Sequence, residues 1–332
     1  MKKRVSIKDV AKSLGVSPAS VSLVLNGKGK EGRVSEVLAE KIRNEAKALK
    51  YKPNSFAKAL RSGCSETIGL IVADISNPFF AHLAFHVQEN AEKYGYSVII
   101  TNTNEKSEKM ERNISILKSR QVDGFIIIPT EYGEKQIEKL VEEKYPVVLL
   151  DRCFKGIDVS YVVVNNFQAS MEATNLLLNM NCKRIAHVNY KYRIPHTQAR
   201  KEGYIAAMTN RGLFDPKLIK EVDFWTMESD TQNAVMELVS GTEKIDGFFF
   251  ASNTIAVNAL KKMIALKLDI PKDIKVVCFD KSDFFELFNY SIPYIQQPIP
   301  EMGKRAVELL INKITQPETP NVYEELQTKL EW

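Results

Sequence analysis

From Thr67 onward the chain alternates short apolar runs with amphipathic stretches, and this alternation restricts the fold more than any other feature. The runs are "TIGLIVA", "YSVIIT", "DGFIIIP", "PVVLL", "YVVV", "RIAHV", "DGFFFAS" and "IKVVCF". Helical patterns follow most of them, for example at residues 79–94, 106–118 and 255–267. Such alternation predicts an α/β body of parallel sheets flanked by helices. Eight or more strands over this length suit two lobes better than one sheet.

The first 62 residues read differently. They hold 15 Lys and Arg against 5 Asp and Glu, whereas the remainder holds 31 against 36. A basic head on a mildly acidic body predicts that only the head meets a polyanion. Apolar residues Ile7, Val10, Ala11 and Leu14, then Val21, Val24 and Leu25, place one stripe on each of two short helices. Gly15 between them suits a left-handed C-cap, and Ser17 followed by Pro18 reads as N-cap and first helical position. A third pattern through Leu38, Ile42, Ala46 and Leu49 runs to Tyr51, and Pro53 stops it. The prediction is a small all-α helix-turn-helix headpiece.

Gly27, Gly29 and Gly32 match the G-x-G-x-x-G spacing of a dinucleotide loop. That loop needs a strand before it and a helix opening on it. A capped helix precedes these glycines instead, so "NGKGKEGR" reads as a connection between helices, with Lys28, Lys30 and Arg33 available to phosphates.

"SIKDVAKSLGVSPASVSLVLNG", "YKPNSFAKALRSG" and "TIGLIVADISNPFF" resemble the LacI/GalR family of bacterial transcription regulators. The likeness continues through "VDGFIIIP", "PVVLLDR", "IPKDIKVVCFD" and "QQPIPEMGKRAVELL". The resemblance implies a headpiece over residues 1–52, a hinge helix or linker over 53–63, and a two-lobed periplasmic-binding-protein-like effector and dimerisation domain over 64–332. Its N-lobe would comprise about 64–164 and 293–319, and its C-lobe 165–292 and 320–332. By family position Pro18, Ala19, Ser22 and Leu23 would face base edges, while Ser6, Ser17, Asn26 and Tyr51 would hold phosphates. Arg33 joins the DNA-binding set, and so do Asn54 and Ala57 of the hinge. Leu60 stands where the family places a wedge that kinks the duplex. Family members often have arginine where Leu23 stands; Pro18, Ala19 and Leu23 donate no side-chain hydrogen bonds, leaving thymine methyls and DNA shape to be read.

In open α/β sheets ligands bind beyond the carboxyl ends of strands. Those ends carry Asp74, Thr101–Asn102, Thr130, Asp151–Arg152, Asn189, Ser252–Asn253 and Asp280–Lys281. This composition suits a hydroxyl-rich small molecule. The resemblance sharpens the effector set: Arg200 as a clamp, Asn253 and Asp280 as contacts, and Phe224 as a stacking ring. Phe79 and Phe80 would wall the other lobe, with Asp74 and Asp151 beside them. Thr254 and Lys281 depart from the family pattern, and "NYKYRIPH" lacks the small glycine-containing loop usual there.

The expected protein is a sequence-specific DNA-binding regulator, a repressor, that binds a near-palindromic double-stranded operator as a homodimer or within a tetramer. A small effector, a sugar or sugar derivative, controls it. The alternatives are an activator, a nucleobase or nucleoside effector, or a solute-binding protein. His82 and His86 have chelating spacing but no third ligand. No nucleophile–base–orienter set occurs at recognisable spacing, so neither cofactor nor catalysis is expected. Dispersed Cys64, Cys153, Cys182 and Cys278, no membrane-length apolar run and no signal-peptide pattern point to the cytoplasm, with no membrane partner.

Overall fold

A computed structural model describes residues 5–51 and 64–332. The chain divides into two compact units, Met1–Ser65 and Glu66–Trp332. The expected hinge contacts Asn54, Ala57 and Leu60 lie outside the described residues.

In the first unit α1 (Ile7–Leu14), α2 (Pro18–Leu25) and α3 (Glu36–Ala48) enclose Val10, Ala11, Val21, Val24, Ala39, Ile42 and Ala46. The helix boundaries follow from caps. Gly15 has φ 66°, a left-handed turn that relieves the end of α1. Ser17 Oγ accepts the Ser20 amide at 3.0 Å to open α2, and Ser35 Oγ accepts the Leu38 amide at 3.4 Å to open α3.

The second unit holds two six-stranded sheets. The first has the order β11-β5-β4-β3-β1-β2. Its strands are β1 (Thr67–Val72), β2 (Ser97–Asn102), β3 (Gly124–Ile127), β4 (Val147–Leu150), β5 (Ser160–Val164) and β11 (Tyr323–Leu326). The second has the order β12-β10-β9-β8-β6-β7. It comprises β6 (Ile185–Tyr190), β7 (Ile219–Val222), β8 (Gly247–Phe250), β9 (Lys275–Phe279), β10 (Tyr294–Gln296) and β12 (Lys329–Glu331). All pairings are parallel except β10 with β12. The helices are α4 (Pro78–Lys93), α5 (Ser107–Ser119), α6 (Glu134–Glu142), α7 (Asn166–Asn179), α8 (Pro195–Asn210), α9 (Met227–Ser240), α10 (Asn253–Ala265) and α11 (Ile299–Thr315).

Two lobe boundaries differ from the sequence expectation. β10 pairs with β9, so the chain remains in the second lobe beyond Ile292 and leaves it only after Gln296. β11 pairs with β5, so the return comes after Leu326 rather than near residue 319. The physical reason is that "YIQ", "YEEL" and "KLE" are short, partly polar edge or near-edge strands, recruited by neighbours rather than by their own periodicity.

Close helix packing shapes the second lobe. A Cβ at Gly203 on α8 would lie 2.3 Å from the Phe167 carbonyl oxygen of α7, so the two helices meet backbone to backbone. That approach carries Arg200, one turn earlier on α8, to the start of α7.

Candidate functional site

The carboxyl ends of strands from both lobes converge on one cavity of ≈ 240 Å³. Asp74, Phe79, Phe80, Asp151, Arg200, Phe224, Asn253 and Asp280 all line it. Asp151 and Asp280 occupy equivalent places, just beyond β4 and β9. Their amides continue the sheet ladders to Val162 O at 2.9 Å and Ile295 O at 3.0 Å. Each then turns with positive φ, 66° and 71°, a conformation that aspartate tolerates better than bulkier residues.

Arg200 is only 5% exposed and tightly held. Its Nε donates to Asn166 Oδ1 at 2.8 Å and Nη1 to Ala251 O at 2.7 Å. The guanidinium lies 3.4 Å from the centroid of the Phe279 ring. Both hydrogen-bond acceptors are neutral, so its charge is balanced through space by Asp280 and Asp151. Burial lowers its proton affinity, and these carboxylates oppose that shift. Asp280 Oδ1 accepts from Gln297 Nε2 at 2.8 Å. Burial nevertheless pushes the Asp280 carboxyl up to about 6, against the pull of Arg200 and Gln297. Asp151 is raised for the same reason, despite Arg152 and Arg200.

Arg152 forms a bidentate pair with Glu105, Nη1 to Oε2 at 2.8 Å and Nη2 to Oε1 at 2.7 Å. Its Nε lies 3.4 Å from Asp151 Oδ2 but has no hydrogen-bond partner. Burial would lower Arg152, and Glu105 with Asp151 outweighs it, so the group stays charged. Tyr192 Oη, His196 Nδ1 and Gln297 Oε1 are likewise buried atoms without partners on cavity-lining residues. Burial, with Arg152 and Arg200 nearby, drives His196 well down, so its imidazole is neutral. A cavity lined by these unmet donors and acceptors suits a polar guest.

Contacts across the cleft join the lobes. Asn77 Nδ2 donates to Thr254 Oγ1 at 3.2 Å, the Arg193 amide donates to Glu131 Oε1 at 3.1 Å, and Lys106 Nζ sits 4.6 Å over the Trp225 ring. Other strand-end residues serve locally. Asn102 Oδ1 accepts the Ile75 amide at 3.1 Å, Asn189 Nδ2 donates to Thr197 O at 2.8 Å, and Lys281 pairs with Glu286 at 2.7 Å. Sequence reasoning missed Glu105, Tyr190, Tyr192, His196 and Gln297. In sequence the loop at 190–197 stands out only as unusual, and Glu105 carries no local signal because its partner is 47 residues away.

On the headpiece, Ser6, Ser17, Pro18, Ala19, Asn26 and Arg33 are exposed, while Ser22, Leu23 and Tyr51 are half-buried. Asn26 Nδ2 caps its own helix, donating to Ser22 O at 2.7 Å. Leu23 lies under the following loop: a Cβ at Gly32 would come 2.5 Å from its Cδ1. Among the described residues no group of three His, Cys, Asp or Glu could hold a metal, and no helix is long and apolar enough to cross a membrane.

Residues 65–328 match the profile for periplasmic binding proteins and the sugar-binding domain of the LacI family, and residues 6–54 match that for bacterial regulatory proteins of the lacI family. The chain belongs to the LacI family. It is 33% identical to a ribose operon repressor of Halalkalibacterium halodurans, over 98% of this chain and 95% of that protein. It is 29% identical to the ribose operon repressor of Escherichia coli K12, over 94% of each. The fold matches that of the lac repressor dimer bound to operator and an anti-inducer with a TM-score of 0.87, at 19% identity over 99% of this chain and 98% of the other.

The raised Asp280 carboxyl sets a pH dependence for this family member. The folded chain binds that proton more tightly than the unfolded chain, whose aspartate has the ordinary value of 3.8. The contribution is therefore fully present below about pH 4 and lost as pH rises through about 6. Asp280→Asn cannot titrate, so the melting-temperature difference between wild type and variant should change over that window. A constant difference in melts from roughly pH 4 to 7 would count against the raised carboxyl.

Proposed function

We propose that the chain is a cytoplasmic transcription repressor that binds a near-palindromic operator as a homodimer and is switched by one neutral monosaccharide held between its lobes. D-ribose is the leading candidate, because two relatives are named ribose operon repressors. The observation that carries the reading is the cavity itself. It offers a stacked arginine, two raised aspartates and unpartnered polar atoms within a volume of ≈ 240 Å³. That volume lies below the roughly 300–1,000 Å³ of drug-sized pockets and suits a single sugar ring.

Charge narrows the class. The lining carries carboxylates at Asp74, Glu105, Asp151 and Asp280 against guanidiniums at Arg152 and Arg200. Both oxygens of Glu105 already occupy Arg152. A phosphate or carboxylate would enter a site with excess negative charge, whereas neutral hydroxyls can donate to the carboxylates and accept from the arginines. The cross-cleft contacts supply the coupling: a ligand bridging the lobes favours their closed arrangement, and operator and effector affinities must then change reciprocally.

The test is calorimetry with D-ribose, D-ribose 5-phosphate and adenine, followed by gel shifts on a site selected from random DNA. Ribose is expected to bind, the phosphate to bind more weakly, and the selected site to be two-fold symmetric with half-sites about one helical turn apart. Tighter binding of the phosphate or of adenine would overturn the neutral-sugar reading. A single unrepeated half-site would overturn the dimer.

A further inference from the structure

Among the aromatic residues of the cavity, Tyr190 and Tyr192 stack with centroids 5.8 Å apart, and both lie near Phe224, at 6.3 and 6.4 Å. Their hydroxyls differ in circumstance. That of Tyr190 is met by Ser252 and Thr254. That of Tyr192 is buried with no partner. Three further buried atoms on lining residues of the same cavity make no hydrogen bond: Nδ1 of His196, Oε1 of Gln297, and Nε of Arg152, which lies 3.4 Å from Asp151 Oδ2. A buried hydroxyl without a partner is costly, so its retention calls for an occupant.

The chemistry of these atoms defines that occupant. Arg152 Nε–H only donates, the Tyr192 phenol does both, and a neutral imidazole Nδ1 takes either role according to its tautomer. Both nitrogens of the Arg152 fork already face Glu105, so this cluster offers no free cation for an anionic group. Burial raises the Tyr192 phenol and lowers the His196 imidazole, which keeps both groups uncharged.

We propose that Tyr192 is a specificity-determining residue of the effector cavity, which Arg152 and His196 also line, and that its hydroxyl pairs with one hydroxyl of the bound sugar. The proposal rests on the monosaccharide reading above and names which atom selects among monosaccharides. The loop that carries Tyr192 follows β6 and is held in place by Asn189 and by Thr197 Oγ1, which donates to Tyr192 O at 2.9 Å. A phenylalanine would keep these bonds to the loop backbone and the ring contacts with Tyr190 and Phe224.

The experiment uses Tyr192→Phe in the full chain, with D-ribose, 2-deoxy-D-ribose, 3-deoxy-D-ribose and methyl D-riboside as probes. Without sugar the variant should melt at or above the wild-type temperature, because it loses an unpartnered buried hydroxyl. Ribose affinity should fall about tenfold, or 1.4 kcal/mol. One of the modified sugars should bind wild type and variant equally, because the hydroxyl it lacks or blocks is the one Tyr192 meets. A purely structural residue would lower the melting temperature and leave every sugar penalty the same in both proteins. Unchanged ribose affinity in the variant, or identical penalties across the series, would overturn the assignment while leaving the monosaccharide reading intact. If the wild type binds none of these sugars nor any other neutral monosaccharide, that reading fails and the assignment fails with it.

Discussion

Arg200→Ala is expected to weaken D-ribose binding by at least about a hundredfold and to lower thermal stability as well. The substitution removes a buried cation that balances Asp280 and Asp151, and it leaves Asn166 Oδ1 and Ala251 O without their donor. Breaking a buried charge arrangement by deleting one member costs about 3–5 kcal/mol, although protonation of the raised carboxyls relieves part of that here. A factor of one hundred in sugar affinity corresponds to about 2.7 kcal/mol, the order of the roughly 2–5 kcal/mol lost when one partner of a buried, hydrogen-bonded charge arrangement is truncated at a binding site. Arg200→Lys is not expected to rescue, because an ammonium cannot reproduce the planar fork or the stack on Phe279. Operator affinity without sugar should be nearly unchanged, since the phosphate-facing candidates are all in the headpiece. Calorimetry and a gel shift decide the matter. Wild-type sugar affinity beside damaged operator binding would remove Arg200 from the effector site.

Gly203→Ala should be the most damaging single-methyl change in the second unit. The new Cβ would stand 2.3 Å from the Phe167 carbonyl oxygen, 2.9 Å from Ser170 Cβ and 3.0 Å from the Met171 amide nitrogen. Two of those three atoms are backbone, so no rotamer change relieves the clash and α7 must move away from α8. Overpacking of this kind costs about 1–3 kcal/mol, and backbone contact places this case at the upper end. For a domain of this size about 3 kcal/mol corresponds to a fall of roughly 6–12 °C in melting temperature. Because Arg200 Nε reaches Asn166 at the start of α7, separating the helices should also weaken ribose binding. Calorimetric melting with and without sugar tests both effects. A variant that melts within about 2 °C of wild type would mean that the helices are not in the close contact described.

The architecture and most of the chemistry of the cavity were legible in the order of residues alone. Continuous apolar runs such as "DGFFFAS" and "IKVVCF" can only be satisfied by burial on both faces, and that requirement produces parallel sheets. Parallel sheets present their carboxyl ends together, so Asp74, Asp151, Asn253 and Asp280 could be read as one constellation from their places after strands. Arg200 and Phe224 came from the family resemblance, and both line the same cavity. The headpiece was equally legible, because Gly15, Ser17 and Pro18 act through local backbone chemistry.

Packing in three dimensions settled which charges are already paired. Glu105 meets Arg152 across 47 residues, and Gln297 meets Asp280 across 17, distances at which no sequence period links the partners. It also decided the lobe boundaries, because strands as short as "YIQ" and "KLE" draw their ladder bonds from neighbours and are too short to show a period in the sequence. Leu23 follows the same logic: helical position directs it outward, and the loop through Gly32 then covers it. Local periodicity reports which face of an element is buried; it carries no record of what arrives from elsewhere in the chain to lie against that face. For this reason the orphaned hydroxyl of Tyr192, defined by the absence of any partner in three dimensions, could be recognised only once the chain was folded.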